Sequence, residues 1–439
     1  MNLRWSTQEN AFSLNDSGAK VIFADDKFLP ALPEILAEAD GIEHLIYMGN
    51  VEAPEGWLDH DGLIATNAAV EDVGCGGEDL AGIFYTGGTT GFPKGVMLSH
   101  RSLWSSSVGI AYAFKFEIAT RYLHAAPMFH LADGAFSMGT TIACGSHYFI
   151  PAFDPAATNG AIESHNVTDT LLVPTMVKMI LDCPALAESK LASVKQIIYG
   201  ASPMPESLIR ECLERLPHVG FTQAYGQTEL SPLCTLNPPE YHVFNGPNAG
   251  KLRSAGRAAL CNVIKIVGPD GEELPRGEVG ELVAKGPNTM LGYWNRPEET
   301  AAVLKEGWVH TGDGAYMDDD GFIFIADRLK DMIITGGENV YSAEVENAIA
   351  QHPEVSEVAV IGVPSDTWGE AVHAIVIRRN GAELSETDII EHARGLIASY
   401  KCPQSVEFRS DPMPLSGAGK VLKRDLRAPY WEGRERQVS

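Results

Sequence analysis

Through about residue 260 the chain alternates short apolar runs with stretches of helical character. Val21–Ala24, Leu45–Met48, Leu80–Tyr85, Tyr122–Ala126, His147–Ile150, Thr170–Val173 and Gln196–Tyr199 read as strands. Leu103–Ala113, Thr175–Asp182 and Pro205–Arg215 lie between them and read as helices. Parallel strands need long crossovers, and helices are the usual crossover, so this alternation predicts mostly parallel sheets covered by helices.

Two changes of pattern divide the rest. Near Cys261 the chain turns β-rich: Val263–Val267 and Val279–Ala284 flank Pro269-Asp270-Gly271, and Trp308–His310 and Phe322–Ile325 flank Asp319-Asp320-Gly321. Such turns between apolar runs indicate antiparallel strands. After Arg328, Ser342 with Glu344 and Glu346 reads as a helix start, acids at its positive end, with Val345 and Ile349 on one face. Val358–Ile361 and Ala374–Ile377 read as strands. Ser385 and Asp388 have capping-box spacing ahead of an apolar face of Ile389, Ala393, Leu396 and Ile397. The expected class is therefore α/β. A large N-terminal domain, residues 1–329, has mostly parallel sheets and a β-rich subdomain; a small α+β C-terminal domain spans 330–439.

Composition narrows the function. Lys and Arg number 33 and Asp and Glu 58, a net charge of −25. So acidic a chain is a poor nonspecific ligand for nucleic acid or an anionic membrane, and an anionic small molecule would need a local site of backbone N–H groups and placed cations. The 7 cysteines are scattered without a C-x-x-C pair, against a disulfide framework or zinc ribbon and in keeping with a reducing cytoplasm. No apolar run is long enough for a transmembrane segment.

The sharpest motif is Tyr85-Thr86-Gly87-Gly88-Thr89-Thr90-Gly91-Phe92-Pro93-Lys94-Gly95, between a strand-like run and the helical stretch at Leu103. Glycines let backbone N–H groups approach a ligand, the Thr hydroxyls add donors, and Lys94 adds a mobile charge, a combination suited to polyphosphate. Phe92-Pro93 between Gly91 and Lys94 breaks the Walker A spacing. By composition alone, a glycine turn with a surface lysine would read similarly. The full spacing resembles the phosphate loop of the adenylate-forming superfamily, which includes acyl-CoA synthetases, amino-acid adenylation domains and luciferases.

Further segments resemble that superfamily in the same order, from about residue 2 to residue 427. Tyr199-Gly200-Ala201-Ser202-Pro203 resembles its adenine-side loop and Gln223-Ala224-Tyr225-Gly226-Gln227-Thr228-Glu229 its aromatic-Gly-x-Thr-Glu motif. The resemblance implies ATP or AMP contacts from Thr86 through Gly91, Lys94, Gly200, Ala201, Ser202, Gln223 and Ala224. Tyr225 would stack on adenine, Thr228 bond the α-phosphate and Glu229 help hold Mg²⁺, a hard cation that prefers oxygen. Trp308-Val309-His310-Thr311-Gly312-Asp313 and Asp327-Arg328-Leu329-Lys330 follow, with Asp313 and Arg328 implied at the ribose and Lys330 at the hinge. Pro414-Leu415-Ser416-Gly417-Ala418-Gly419-Lys420 resembles the mobile loop carrying the catalytic lysine. His130, Gly200, Ala201 and Gly226 would line the acyl pocket, and Gly336 and Gly337 a tunnel for the pantetheine arm of CoA. A packed core histidine is an equal reading of His130.

The family carries several more β/α elements before the point matching Leu3, so the first subdomain is expected to be incomplete. Met332-Ile333-Ile334-Thr335-Gly336-Gly337-Glu338-Asn339 lacks the lysines of plant coumarate ligases and is closer to the form in many fatty-acyl CoA ligases. Asp318-Asp319-Asp320-Gly321 lacks calcium-loop spacing and reads as a hairpin turn; no G-x-S-x-G or H-E-x-x-H motif is present. The resemblance therefore implies a cytoplasmic, AMP-forming acid–thiol ligase using ATP, Mg²⁺ and CoA on a fatty or similarly apolar carboxylic acid. Loading of a carrier protein, a luciferase-type oxidation and nucleotide binding without turnover stay open, as does pairing into a homodimer.

Overall fold

The computed structural model describes every residue except Leu3, 88–91, 185–190, Pro203, 417–419 and 433–439. The chain forms two compact units, one of residues 1–104 with 290–302 and the other of 105–289 with 303–439.

In the first unit, Val21–Ala24, His44–Tyr47 and Leu58–Asp59 pair in parallel. The helices Thr7–Ser17 and Leu32–Glu38 bury Ala11, Leu14, Leu32 and Ile35 with Ile22 and Ala24. The first helix begins on a Ser6/Glu9 capping box and ends at Gly18 in the left-handed region, where glycine is unstrained. A second sheet departs from the expected parallel pattern. Leu80–Thr86 runs antiparallel to Lys94–Ser99, a strand not foreseen in the sequence, and Gly292–Tyr293 adds to its other edge. The pairing sets Thr86 opposite Lys94, and the following helix starts at His100.

The second unit holds the parallel core. Ser146–Phe149, Arg121–His124, Asp169–Leu172, Gln196–Gly200 and Gly220–Gly226 lie side by side in parallel. Leu233–Asn237 and Arg257–Ala258 continue the sheet antiparallel. Asp169–Leu172 is buried along its whole length, as a strand covered on both faces must be. The expected helices are Pro174–Leu181 and Glu206–Arg215, the first opening on Pro174, where the missing N–H costs nothing. An antiparallel sheet follows, in which Gly280–Lys285 pairs with Val263–Val267 and Trp308–Met317, and Trp308–Met317 with Ile323–Arg328. The acidic turn is a hairpin turn as expected. The Asp318 carboxylate accepts the amides of Asp320 and Phe322, and Lys251 pairs with Asp320 at 2.9 Å.

The α+β part of this unit packs Ser342–Ile349 and Glu386–Arg394 on a sheet containing Ile333–Thr335, Val355–Ser365, Gly369–Arg378 and Ser405–Phe408. The Ser385/Asp388 capping box is formed in both directions. Ser342, expected as the cap of its helix, is instead its first residue; Tyr341 holds the cap position and supplies no side-chain bond. The Leu329-Lys330 position lies in the turn between Ile323–Arg328 and Ile333–Thr335. Among the described residues, no helix is long and apolar enough to cross a membrane.

Candidate active site

Strand register creates the centre of the site. Pairing of Trp308–Met317 with Ile323–Arg328 sets Asp313 directly opposite Arg328. Arg328 Nε then lies 3.3 Å from Asp313 Oδ1, and Tyr225, at the end of Gly220–Gly226, donates its hydroxyl to Asp313 Oδ2 at 2.6 Å. Asp313 is buried, and these two donors, one charged, balance the cost of removing its carboxylate from water. Burial raises the Tyr225 hydroxyl pKa well above its ordinary value, and the neighbouring Asp313 charge adds to the effect, so the phenol stays a donor. Glu281 secures the bend ahead of Asp313: Gly312 has a φ of 70° and donates its amide to Glu281 Oε1 at 3.0 Å, and Glu281 Oε2 lies 2.6 Å from His310 Nδ1.

Lys420 and Lys330 extend this centre. Burial lowers the Lys420 pKa to about 8, helped by Arg328 and Lys330, while Asp313 and Glu229 pull the other way. The ammonium thus stands within electrostatic reach of Asp313, Glu229 and Arg328, although 92 residues separate it from Arg328. Burial and Arg328 likewise bring Lys330 to about 8. For Arg328, burial opposes the charge, but Asp313, Tyr225, Asp331 and Glu229 outweigh it and raise the pKa. Glu229 sits with Thr228 in a short 3₁₀ turn directly after the Tyr225 strand. The Lys420 amide donates to Ser416 Oγ at 3.1 Å, and the Ser416 amide to the Lys420 carbonyl at 2.7 Å, closing the base of the lysine loop. Gly417, Ala418 and Gly419 of that loop lie outside the described residues.

The Gly/Thr motif belongs to the first unit. Gly88, Thr89, Thr90 and Gly91 lie outside the described residues; Thr86, Gly87 and Lys94 define its two ends. Lys94 Nζ lies 5.3 Å above the Tyr293 ring, and Phe92 stacks on Phe12 at 4.7 Å. Tyr85 donates to Asp16 at 2.6 Å, and Trp294 Nε1 to the Asp16 carbonyl at 2.8 Å. This frame holds the hairpin from both sides. The sequence carried no signal that Tyr293 and Trp294 would return to it.

Among the other expected residues, Gly200 and Gly226 have a packing reason to be glycine. A Cβ on Gly200 would lie 2.1 Å from the Ala224 carbonyl oxygen, and one on Gly226 1.8 Å from that of Pro232. Gly200 pairs with Ala224, which places Ala201, at φ 64°, and Ser202 just past the strand end, beside the chain of Gln223, Ala224 and Tyr225. Pro203 lies outside the described residues. His130 is half-buried at the cap position of the Leu131–Ile142 helix and adds no side-chain cap. Gly336 and Gly337 have φ values of 60° and 86° at an exposed hairpin tip, a turn that favours glycine at both positions. Sequence reasoning gave no place in the site to Asp327, Ser342 or Lys423; Ser342 bonds Asp327, whose carboxylate also accepts the Arg328 amide, and Lys423 bonds Ser342.

Comparison with known proteins gives consistent matches. Residues 1–294 match the family described as AMP-binding enzyme, and residues 344–420 the AMP-binding enzyme C-terminal domain. The chain is 39% identical over 431 residues to a feruloyl-CoA synthase of an Amycolatopsis species, covering 98% of this chain and 83% of that protein. It is 34% identical to the fatty acid–acyl-carrier-protein ligase ScoC of Streptomyces coeruleorubidus, covering 100% of this chain and 83% of the relative. The ATP-bound crystal structure of MatB from Rhodopseudomonas palustris is similar with a TM-score of 0.86 at 32% identity, over 98% of this chain and 83% of that one.

Proposed function

The chain belongs to the AMP-binding enzymes, in their acyl-CoA synthetase branch, and from that premise we propose that it joins an apolar carboxylic acid to CoA through an acyl-adenylate. A carboxylate is a poor acyl donor because oxide is a poor leaving group. In the first half-reaction one carboxylate oxygen attacks the α-phosphorus of ATP, and the bond from that phosphorus to the bridging oxygen breaks, releasing pyrophosphate. In the second, the CoA thiol attacks the acyl carbon, loses its proton, and AMP leaves.

The observation that carries this reading is the convergence of Lys420 on Arg328, Asp313 and Glu229. Two anions must meet in the first step, so the site needs fixed positive charge. In this reading Lys420 stabilises the charge developing at the α-phosphate and carboxylate, and Thr228 donates a hydroxyl to the same phosphate. Asp313 and Arg328 hold the ribose hydroxyls, and Tyr225 presents its ring to adenine. Magnesium enters with the triphosphate as part of the substrate. Glu229 and the Thr228 hydroxyl are hard oxygen donors that fit it, and magnesium ordinarily completes its shell from phosphate and water. It neutralises phosphate charge when bound. The Thr86–Lys94 hairpin of the other unit carries amide, hydroxyl and ammonium donors that suit polyphosphate. His130, Gly200, Ala201 and Gly226 are proposed for the acyl group and Gly336 and Gly337 for the pantetheine arm. Lys330 is proposed as the pivot on which residues 330–439 withdraw Lys420 before the thiol arrives.

The feruloyl-CoA synthase relative favours an aromatic acid as readily as a fatty one, and the ScoC relative supports a second reading in which the thiol belongs to a carrier protein. A panel of fatty and cinnamate-type acids, each given ATP, magnesium and either CoA or a carrier protein, separates these outcomes by mass spectrometry of AMP and thioester. Acid-dependent AMP with a CoA thioester is expected. Absence of acid-dependent AMP across the panel would rule the reading out.

A further inference from the structure

Asp327 adjoins Arg328 and is only 7% exposed. Its Oδ1 accepts the Arg328 amide at 2.7 Å. Its Oδ2 accepts both the amide and the hydroxyl of Ser342, at 2.6 and 2.5 Å. Ser342 opens the Ser342–Ile349 helix, whose own cap residue, Tyr341, supplies no side-chain acceptor. A carboxylate at a helix N-terminus satisfies orphan amides and meets the positive end of the dipole. Here the capping carboxylate comes from the far side of Lys330.

The contact is reinforced from the lysine segment. Lys423, three residues beyond Lys420, donates to the Ser342 hydroxyl and pairs with Glu346 at 2.7 Å. One helical turn later Arg427 pairs with Asp331 and reaches the Lys330 carbonyl at 3.5 Å. The Glu346 carboxylate also accepts the Val360 amide at 2.8 Å, so Lys423 is anchored in the α+β part. Asp327 precedes Lys330 in the chain and Ser342 follows it. A rotation at Lys330 therefore separates them, and the same rotation takes Lys420 away from Asp313.

We propose that Asp327, through Ser342 and Lys423, is the positioning residue that holds the α+β part in the state where Lys420 reaches the nucleotide site. It acts by capping the Ser342–Ile349 helix across the pivot. This inference rests on the two-step reading above. Asp327 contributes to one of the two states only, so its loss shifts the balance between them and leaves the chemistry of the second untouched.

The test measures the two half-reactions separately: acid-dependent pyrophosphate exchange into ATP, and thioester formation from supplied acyl-adenylate and CoA. Asp327→Asn is expected to lower pyrophosphate exchange roughly tenfold, a usual size for coupling through a two-state equilibrium, and to leave thioester formation within about twofold. Lys423→Met should divide the halves in the same direction, and Lys423→Arg should restore the ratio. If Asp327→Asn does not fold, Ser342→Ala, which removes one hydroxyl, takes its place with the same expected direction. Equal loss in both halves, or no change in either, overturns the proposal. Wild-type protein that exchanges no pyrophosphate with any acid refutes the ligase reading and this inference with it; wild-type protein that performs both halves while the variants fail to divide them refutes this inference alone.

Discussion

Lys420 must be an ammonium to draw two anions together, yet burial and the nearby Arg328 bring its pKa down to about 8. The kcat/KM for ATP reports groups of the free enzyme. A lysine needed in its charged form is lost as pH rises through its pKa, so kcat/KM should be level below about 8 and fall about tenfold per unit above it. Lys330 titrates in the same range and faces the same arginine, so the descending limb belongs to the pair unless one partner is changed. Lys420→Arg separates them, because a guanidinium stays charged throughout. Its kcat/KM should be lower at neutral pH and flatter between pH 8 and 10, and a limb as steep as the wild type's would assign the titration to Lys330. Lys420 could be singled out in the sequence by its Gly-rich loop. The shift in its pKa could not, because the charges that cause it come from residues 229, 313, 328 and 330, which only the folded sheet brings near.

At the scale of elements, apolar runs were reliable guides where strands are buried on both faces, as at Asp169–Leu172 and Gln196–Gly200. They also marked half-exposed strands such as Val21–Ala24, but not every short strand. Lys94–Ser99 was passed over because the glycine-rich stretch before it and the helix after it mask a short strand. The two helix starts of the α+β part show the same divide. Ser385 and Asp388 satisfy each other locally, through bonds of 2.9 Å from the Ser385 amide and 3.3 Å from the Asp388 amide, so sequence spacing suffices to recognise them. Ser342 is capped by Asp327 from another element, a relation with no sequence spacing to read. Ser385→Ala removes an acceptor that only its own helix uses, and should cost about 1 kcal/mol, the usual size for loss of an N-cap. Urea unfolding checks this, with a lowered midpoint and unchanged slope expected. Both half-reactions should remain at wild-type rates, since the bonds of this cap join Ser385 to Asp388 within its own helix start. A selective loss of pyrophosphate exchange would mean that this helix, too, governs how Lys420 is presented.

For the molecule as a whole, a net charge of −25 must coexist with a site for anionic phosphates. The two fields differ in range. Arg328, Lys330 and Lys420 act over a few ångströms at any ordinary salt concentration, because their surroundings are partly closed to ions. The acidic surface acts over the Debye length, which is about 30 Å in 10 mM salt and about 8 Å in 150 mM. At low salt the whole surface therefore opposes an approaching phosphate, and added salt removes that opposition before it screens the half-buried cations. AMP and adenosine isolate the effect, since they share base and ribose and differ by the phosphate. The ratio of the AMP to the adenosine dissociation constant should fall roughly two- to threefold between 10 and 150 mM salt, a modest share of what long-range fields contribute to association. Calorimetric titration of both ligands on one protein preparation measures it, with adenosine correcting for any effect of salt on the fold. A phosphate site dominated by exposed cations gives the opposite sign, the ratio rising with salt. That result would place the phosphate on the open surface and contradict a site formed by the half-buried Lys420, Lys330 and Arg328.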